Sequence, residues 1–349
     1  PRRMPRNQAD APAVDLDAPP YDAAGFVPGG VFTPTCTDTE VVWSFGDQTV
    51  TQSDRVDRRF DFMVQFIARV DNVAGNQEAV VLRNGGTSTV TEVRYVDEAS
   101  NTVVLAIDEA ALVVREPVLE LTKTFSVATV DAADRPRVTV TLTNTGTATA
   151  YNPRVLEDLS SPELSYVGDI AGATPPTADL LTLGADFPLF SWAPGFAIPP
   201  GDSVSFSFAV EVALSAEPEQ LLSNTIESDW TSLPSTTTAL NTGGSIAANG
   251  DPRGMRNGAL PNAGDPVNDY EATVTETVPV APVTVVKTDL DPLQAPEIGS
   301  HRSFQIEIGL PEGTTQGLRV EDVLDSGSVG YVLRNDATYD ITYEFVGLA

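Results

Sequence analysis

Lysine is almost missing from this chain: of 349 residues only Lys123 and Lys287 carry an ammonium, against 18 arginines. Cysteine is nearly absent too. The single Cys36 excludes an internal disulfide and a cysteine-built zinc site. The one histidine, His301 in "GSHRSF", precedes a strand pattern and reads as a surface residue. No nucleophile elbow, phosphate loop or zinc spacing accompanies it, so a turnover enzyme is not expected. Positive charge is scarce, and the formal net charge of −29 repels phosphate backbones and anionic lipid. Nucleic acid is therefore an unsuitable partner. No apolar run is long enough to cross a bilayer, which argues against direct membrane insertion. The opening "PRRMPRNQAD" lacks the apolar stretch of a secretory signal, and the expectation is a chain processed or excised from a longer protein. Helical periodicity is equally thin; "DEAALVV" from Asp108 is the nearest approach.

What is present is alternation. Phe60, Phe62, Val64 and Phe66 recur at the strand period, as do Val138, Val140 and Leu142, then Val204, Phe206, Phe208, Val210 and Val212, then Phe304, Ile306 and Ile308. Gly, Pro, Asn and Asp in "NTGTATA", "IPPGDS" and "LPEGTTQG" supply the turns between such runs. The pattern also repeats. "VLELTKTFS", "RVTVTLTNTG", "PRVLEDLS" and "LLSNTIESDW" form one block, and "VTVVKTDL", "SFQIEIGL" and "LRVEDVLD" open another. Lys123 precedes Glu157 by 34 residues and Lys287 precedes Asp322 by 35. The reading is an amino-terminally incomplete β-sandwich repeat over 1–116, a complete one over 117–282 and a carboxy-terminally incomplete one over 283–349. Prolines in "REPV" and "VPVAPV" mark the short connectors. Residues 233–268, rich in Gly and polar side chains, read as a long surface excursion able to carry recognition.

In the middle repeat three polar residues share the parity of apolar neighbours: Lys123 with Leu119, Leu121 and Phe125; Glu157 with Val155 and Leu159; Asn224 with Leu222 and Ile226. Side chains two apart on a strand point the same way, so all three are expected to face the core, while Asp158 points outward. A buried ammonium either loses its proton or pairs with an acid. A neutral amine is a nucleophile, and a buried carboxyl in its acid form polarises a carbonyl and shuttles protons. Together with Asn224 these groups have the parts for an isopeptide bond, the amine displacing ammonia from the carboxamide, with Glu157 as catalytic proton shuttle. Arginine cannot serve, because its guanidinium stays protonated. The plainer alternative is a Lys123–Glu157 ion pair at the sandwich rim, with Asn224 bonded to a turn.

"LTKT", "LTNTG", "VLEDL" and "SNTIES", followed by "VVKT" and "VEDVL", resemble the isopeptide-forming surface repeats of bacterial and archaeal adhesins and fimbriae. That resemblance implies tandem immunoglobulin-like β-sandwiches in an extracellular, cell-surface fibre, partnered by neighbouring repeats of the same or identical chains. It departs from one pattern in its acid, Glu157 in one repeat and Asp322 in the next. The incomplete equivalents are Lys287 with Asp322, lacking an asparagine, and Asn84, in parity with Val80 and Leu82, lacking a lysine.

Weaker candidates remain. Asp15 with Asp17, and Asp289 with Asp291, have carboxylates suited to calcium at domain junctions; no other cofactor is expected. Trp43 and Trp192 occupy equivalent places and read as core, whereas Trp230 is a candidate for stacking on a sugar. Three functions follow: a stalk or filament segment held by an isopeptide bond, a module binding glycan or a surface protein through 233–268, and a subunit polymerising by strand complementation.

Overall fold

Every helix or strand assigned among the described residues of this computed structural model is a strand. The structure describes residues 14–15, 31–32, 34–36, 41–45, 68–84, 92–97, 99–106, 110–159, 161–180, 186–234, 255–258, 269–292 and 297–323. The chain divides into two compact units, Pro1–Asn76 and Gln77–Ala349. In the first, β1 (Val14–Asp15) pairs with β2 (Val31–Phe32), and β3 (Thr35–Cys36) with β4 (Val41–Val42), both antiparallel. Among the described residues no helix is long and apolar enough to cross a membrane.

The second unit opens with β5 (Val81–Asn84), β6 (Glu92–Val96), β7 (Thr102–Ala106) and β8 (Ala110–Val113); β5 pairs with β8 and β6 with β7. The one stretch with helical character thus forms a strand where it is described. Ala110–Val113 is short, and its two final residues, Leu112 and Val113, lie opposite Leu82 and Val81.

A two-sheet sandwich follows. Its strands are β9 (Leu119–Phe125), β10 (Arg137–Asn144), β11 (Ala150–Asp158), β12 (Leu164–Gly172), β13 (Thr177–Asp179), β14 (Leu189–Ser191), β15 (Ala197–Ile198), β16 (Ser203–Val212), β17 (Leu221–Thr231) and β18 (Glu271–Pro279). One sheet has the order β12-β16-β10-β9; the other runs β13-β14-β11-β17-β18, with β15 also on β11. The architecture is all-β, as the alternation predicts, and a two-sheet sandwich of the immunoglobulin-like kind that the resemblance implies. Val138, Val140, Leu142, Phe206, Phe208 and Val210 face inward from one sheet, and Val155, Phe190, Leu222 and Ile226 from the other, all essentially inaccessible to water. The rings of Phe190 and Phe208 stack at 4.9 Å, and each such buried ring contributes roughly 2–3 kcal/mol of apolar burial.

One irregularity sets the phase of the site. β11 pairs Tyr151 with Thr231 but Arg154 with Asp229, so an extra residue bulges between them. Asn152 sits there in the left-handed region at φ 49, which asparagine tolerates better than most residues. Its side chain pins the bulge, donating to Thr231 Oγ1 at 3.0 Å and accepting from the Gly195 amide at 2.7 Å. Because side chains alternate, the bulge moves the inward face from Ala150 to Val155, Glu157 and Leu159. Without it Glu157 would point out of the sandwich.

The third region contributes β19 (Thr284–Asp289) and β20 (Phe304–Gly309), paired antiparallel with Lys287 opposite Ile306.

Candidate functional site

Lys123, Glu157 and Asn224 meet inside the sandwich. Lys123 extends from β9, the edge of one sheet, and the other two lie on β11 and β17, adjacent strands of the facing sheet. Glu157 is paired with Ile226, which sets Asn224 two residues along on the same face, within side-chain reach. Exposures of 3%, 0% and 1% for Lys123, Glu157 and Asn224 place all three in the core. Lys123 Nζ donates to Glu157 Oε1 at 2.9 Å and to Asn224 Oδ1. The rim position of the plainer alternative is thereby corrected, since neither side chain of the Lys123–Glu157 pair is accessible to solvent. The ion-pair contact itself is present.

Burial dominates the electrostatics. Desolvation pushes the Glu157 carboxyl up to about 7, against the pull of the Lys123 ammonium. The same burial lowers Lys123, partly offset by Glu157, Asp158 and Glu276. Both shifts favour the uncharged partners, an amine and a carboxylic acid. Glu157 Oε2 and Asn224 Nδ2 are buried and make no hydrogen bond among the described residues. The site thus juxtaposes an amine, a carboxyl and a carboxamide in one solvent-inaccessible pocket.

The related residues are arranged differently. Lys287 Nζ lies 2.7 Å from both Asp322 oxygens and 5.0 Å from the centre of the Phe304 ring. The pair is exposed, with side-chain accessibilities of 40% and 36%, and no asparagine joins it among the described residues. Asn84 is a correction: on β5 it is exposed, although Leu82 two residues before it is half-buried, so parity alone does not bring it inward. Asp289 and Asp291 are engaged locally. Asp289 Oδ1 accepts from the Asp291 amide at 2.9 Å, Asp291 Oδ2 accepts from the Ser303 amide at 2.9 Å, and Arg302 lies 3.6 Å from Asp289. Asp15 ends β1, and Asp17 lies outside the described residues.

Trp192 is core, stacked on Phe196 at 5.2 Å, and Trp43 is half-buried. Trp230 is no sugar platform: it is 3% exposed, stacked on Tyr270 at 5.8 Å, and its indole N–H donates to Pro117 O at 3.3 Å. His301 is exposed ahead of β20. Residues 233–268 are described only at their start and at 255–258, where Met255, Arg256, Asn257 and Gly258 are buried, so that part of the excursion is not a surface loop.

Two buried ion pairs escaped the sequence reading. Arg154 Nε donates to Asp229 Oδ1 at 2.8 Å and its Nη2 to Oδ2, on the opposite face of β11 from Glu157. Burial raises the Asp229 carboxyl despite that arginine. Arg256 pairs with Glu116. Charged residues of outward parity read as solvated, and only cover from elsewhere in the chain makes them interior.

No family model matches the chain, and no curated protein matches it. Among solved structures it is similar to AvmM, which catalyses macrocyclization in alchivemycin A biosynthesis (8% identity, 47% of this chain and 88% of that one, TM-score 0.25). It is also similar to a C-terminal fragment of the major pilin GBS80 of Streptococcus agalactiae (11% identity, 56% and 90%, TM-score 0.27). A third is BcpA, the major pilin subunit of Bacillus cereus (9% identity, 64% and 65%, TM-score 0.29). Likenesses at these scores carry no weight, and the functional reading rests on the chain's own geometry.

Proposed function

We propose that this chain is a stalk or filament segment of an extracellular, cell-surface adhesin or fimbrial protein, with its middle sandwich tied by an autocatalytic isopeptide bond between Lys123 and Asn224. The observation that supports it is the convergence of Lys123, Glu157 and Asn224 in an interior inaccessible to bulk solvent, with both ionisable groups displaced toward their neutral forms.

The Glu157 acid hydrogen-bonds the Asn224 carboxamide oxygen, and the neutral Lys123 Nζ attacks Cγ to give a tetrahedral adduct. Glu157 then carries a proton from Nζ to the departing Nδ2, the Cγ–Nδ2 bond breaks, ammonia leaves, and a Nζ–Cγ amide remains. Glu157 ends as it began. The reaction occurs once per molecule, so the chain is its own substrate and not a turnover catalyst. A bond from the edge strand of one sheet to an inner strand of the other prevents the sheets from separating under load. The partners this implies are further repeats of the same kind, in the same or identical chains.

Intact-mass measurement tests the reading. The expected mass is below that of the sequence by one ammonia, and Lys123→Ala or Asn224→Ala restores the deficit to zero. Fragmentation should recover Lys123 and Asn224 in one branched peptide. A full sequence mass for the folded wild type overturns it.

A further inference from the structure

Three buried side chains, Glu116, Arg256 and Tyr270, join parts of the chain far apart in sequence. Glu116 belongs to the connector between β8 and β9, and its Oε2 accepts from the Glu78 amide at 2.7 Å. Its Oε1 accepts from Tyr270 Oη at 3.1 Å and from Arg256 Nη1. Arg256 also donates to Gln77 Oε1 at 3.1 Å. Thr147, in the turn after β10, donates to Glu78 at 2.8 Å. One guanidinium, 4% exposed, thus grips the turn before β5 and the connector at once.

The segment carrying that arginine is itself stitched down. The Arg256 amide donates to Ser232 Oγ, and the Ser232 amide donates to Arg256 O, both at 2.9 Å. Asn257 forms a bridge to Thr231, taking the place beside β17 where β18 has not yet begun. Gly258 permits the approach: a Cβ there would lie 2.3 Å from Tyr270 O and 2.8 Å from Asp229 Cβ. Beneath the connector, Gly146 plays a similar part, since its Cβ would fall 2.4 Å from Val118 N.

The next connector shows what this adds. Val114 donates to Val80 O at 2.8 Å, and Val280 likewise to Gln220 O at 2.8 Å. Ala79 and Glu219, each just before such an acceptor, both have positive φ, 66 and 62. The two connectors leave their strand pairs by the same device. Beyond that they differ. At the second, Thr314 Oγ1 donates to Leu214 O at 3.1 Å and Gln316 to Glu217 at 2.7 Å, and both of these side-chain bonds are exposed.

We propose that residues 255–258 are a strap that locks the connector at Glu116, stiffening the link between the β5/β8 ribbon and the sandwich, while the link at Val280 is held by backbone bonds to Val130 and by no buried ion pair among the described residues. A buried carboxylate needs its cation, so removing Arg256 releases the connector as well as a contact. In a load-bearing array the strapped link keeps its angle and bending is concentrated at the other.

Peptide-resolved hydrogen exchange on the full chain decides this, because local opening appears as faster exchange confined to the segment that opens. For Arg256→Met, amides of Glu78, Glu116 and Thr147 should exchange about tenfold faster or more, with Val280, Ala281, Thr314 and strands β10 and β16 unchanged. Gly258→Val, which displaces the strap by bulk and leaves the Arg256 and Glu116 charges in the chain, should give the same local pattern. Unchanged exchange at Glu78 and Glu116 in both variants overturns the proposal. So does uniform acceleration across the sandwich, which would make Arg256 a support of the fold and not of the connector.

Discussion

Lys123 with Glu157 and Lys287 with Asp322 are the same kind of pair at nearly the same spacing, yet they occupy opposite environments. The first has 0% side-chain exposure on both partners, the second 40% and 36%. In the dry pair the cost of holding charge raises the acid and lowers the amine. In the wet pair water solvates both charges, and an ammonium is no nucleophile. The contrast teaches that burial, and not spacing, decides whether such a pair is pushed toward its neutral forms.

The largest expected effect tests whether the buried site is covalent. Lys123 and Asn224 are 101 residues apart, and a crosslink over a loop of that size removes on the order of 4–5 kcal/mol of unfolded-state entropy. Asn224→Ala should therefore lower the melting temperature by roughly 10–20 °C, read by calorimetry, together with loss of the mass deficit. An unchanged melting temperature would make the two pairs equivalent after all.

A smaller effect concerns rate. Glu157→Gln keeps shape but cannot exchange a proton, and should slow bond formation by roughly 10²–10⁴-fold, followed by mass after refolding. The wild-type rate should fall as pH rises through about 7, where Glu157 loses its acid form, and also in acid, where the amine is held protonated. A pH-independent rate would remove Glu157 from the chemistry.

The smallest effect belongs to the exposed pair. Lys287→Ala should change stability by about 1 kcal/mol or less in a denaturant titration and leave the mass deficit intact. A loss as large as that from Asn224→Ala would show that exposure does not separate the two sites.

Alternation made the strands legible, because a half-buried strand must alternate if its sheet has one wet face. It also carried Lys123, Glu157 and Asn224 to the interior, where apolar neighbours on both sides of each residue agreed. The same parity failed for Asn84, since alternation says which side a residue takes and not whether anything covers that side. Trp230 shows the converse: its cover is Tyr270, 40 residues further along the chain. Arg256 and Glu116 left no local signal, as each looks like a surface charge in its own segment.

Residue order alone determined that this chain would form strands and set each of its two lysines on a strand with an acid 34 or 35 residues later, because those features follow from short-range geometry and spacing. Which lysine is dry, which acid keeps its proton and which loop closes over a connector were decided by tertiary structure. Desolvation is a property of everything packed around a group, and no stretch of neighbouring residues contains it.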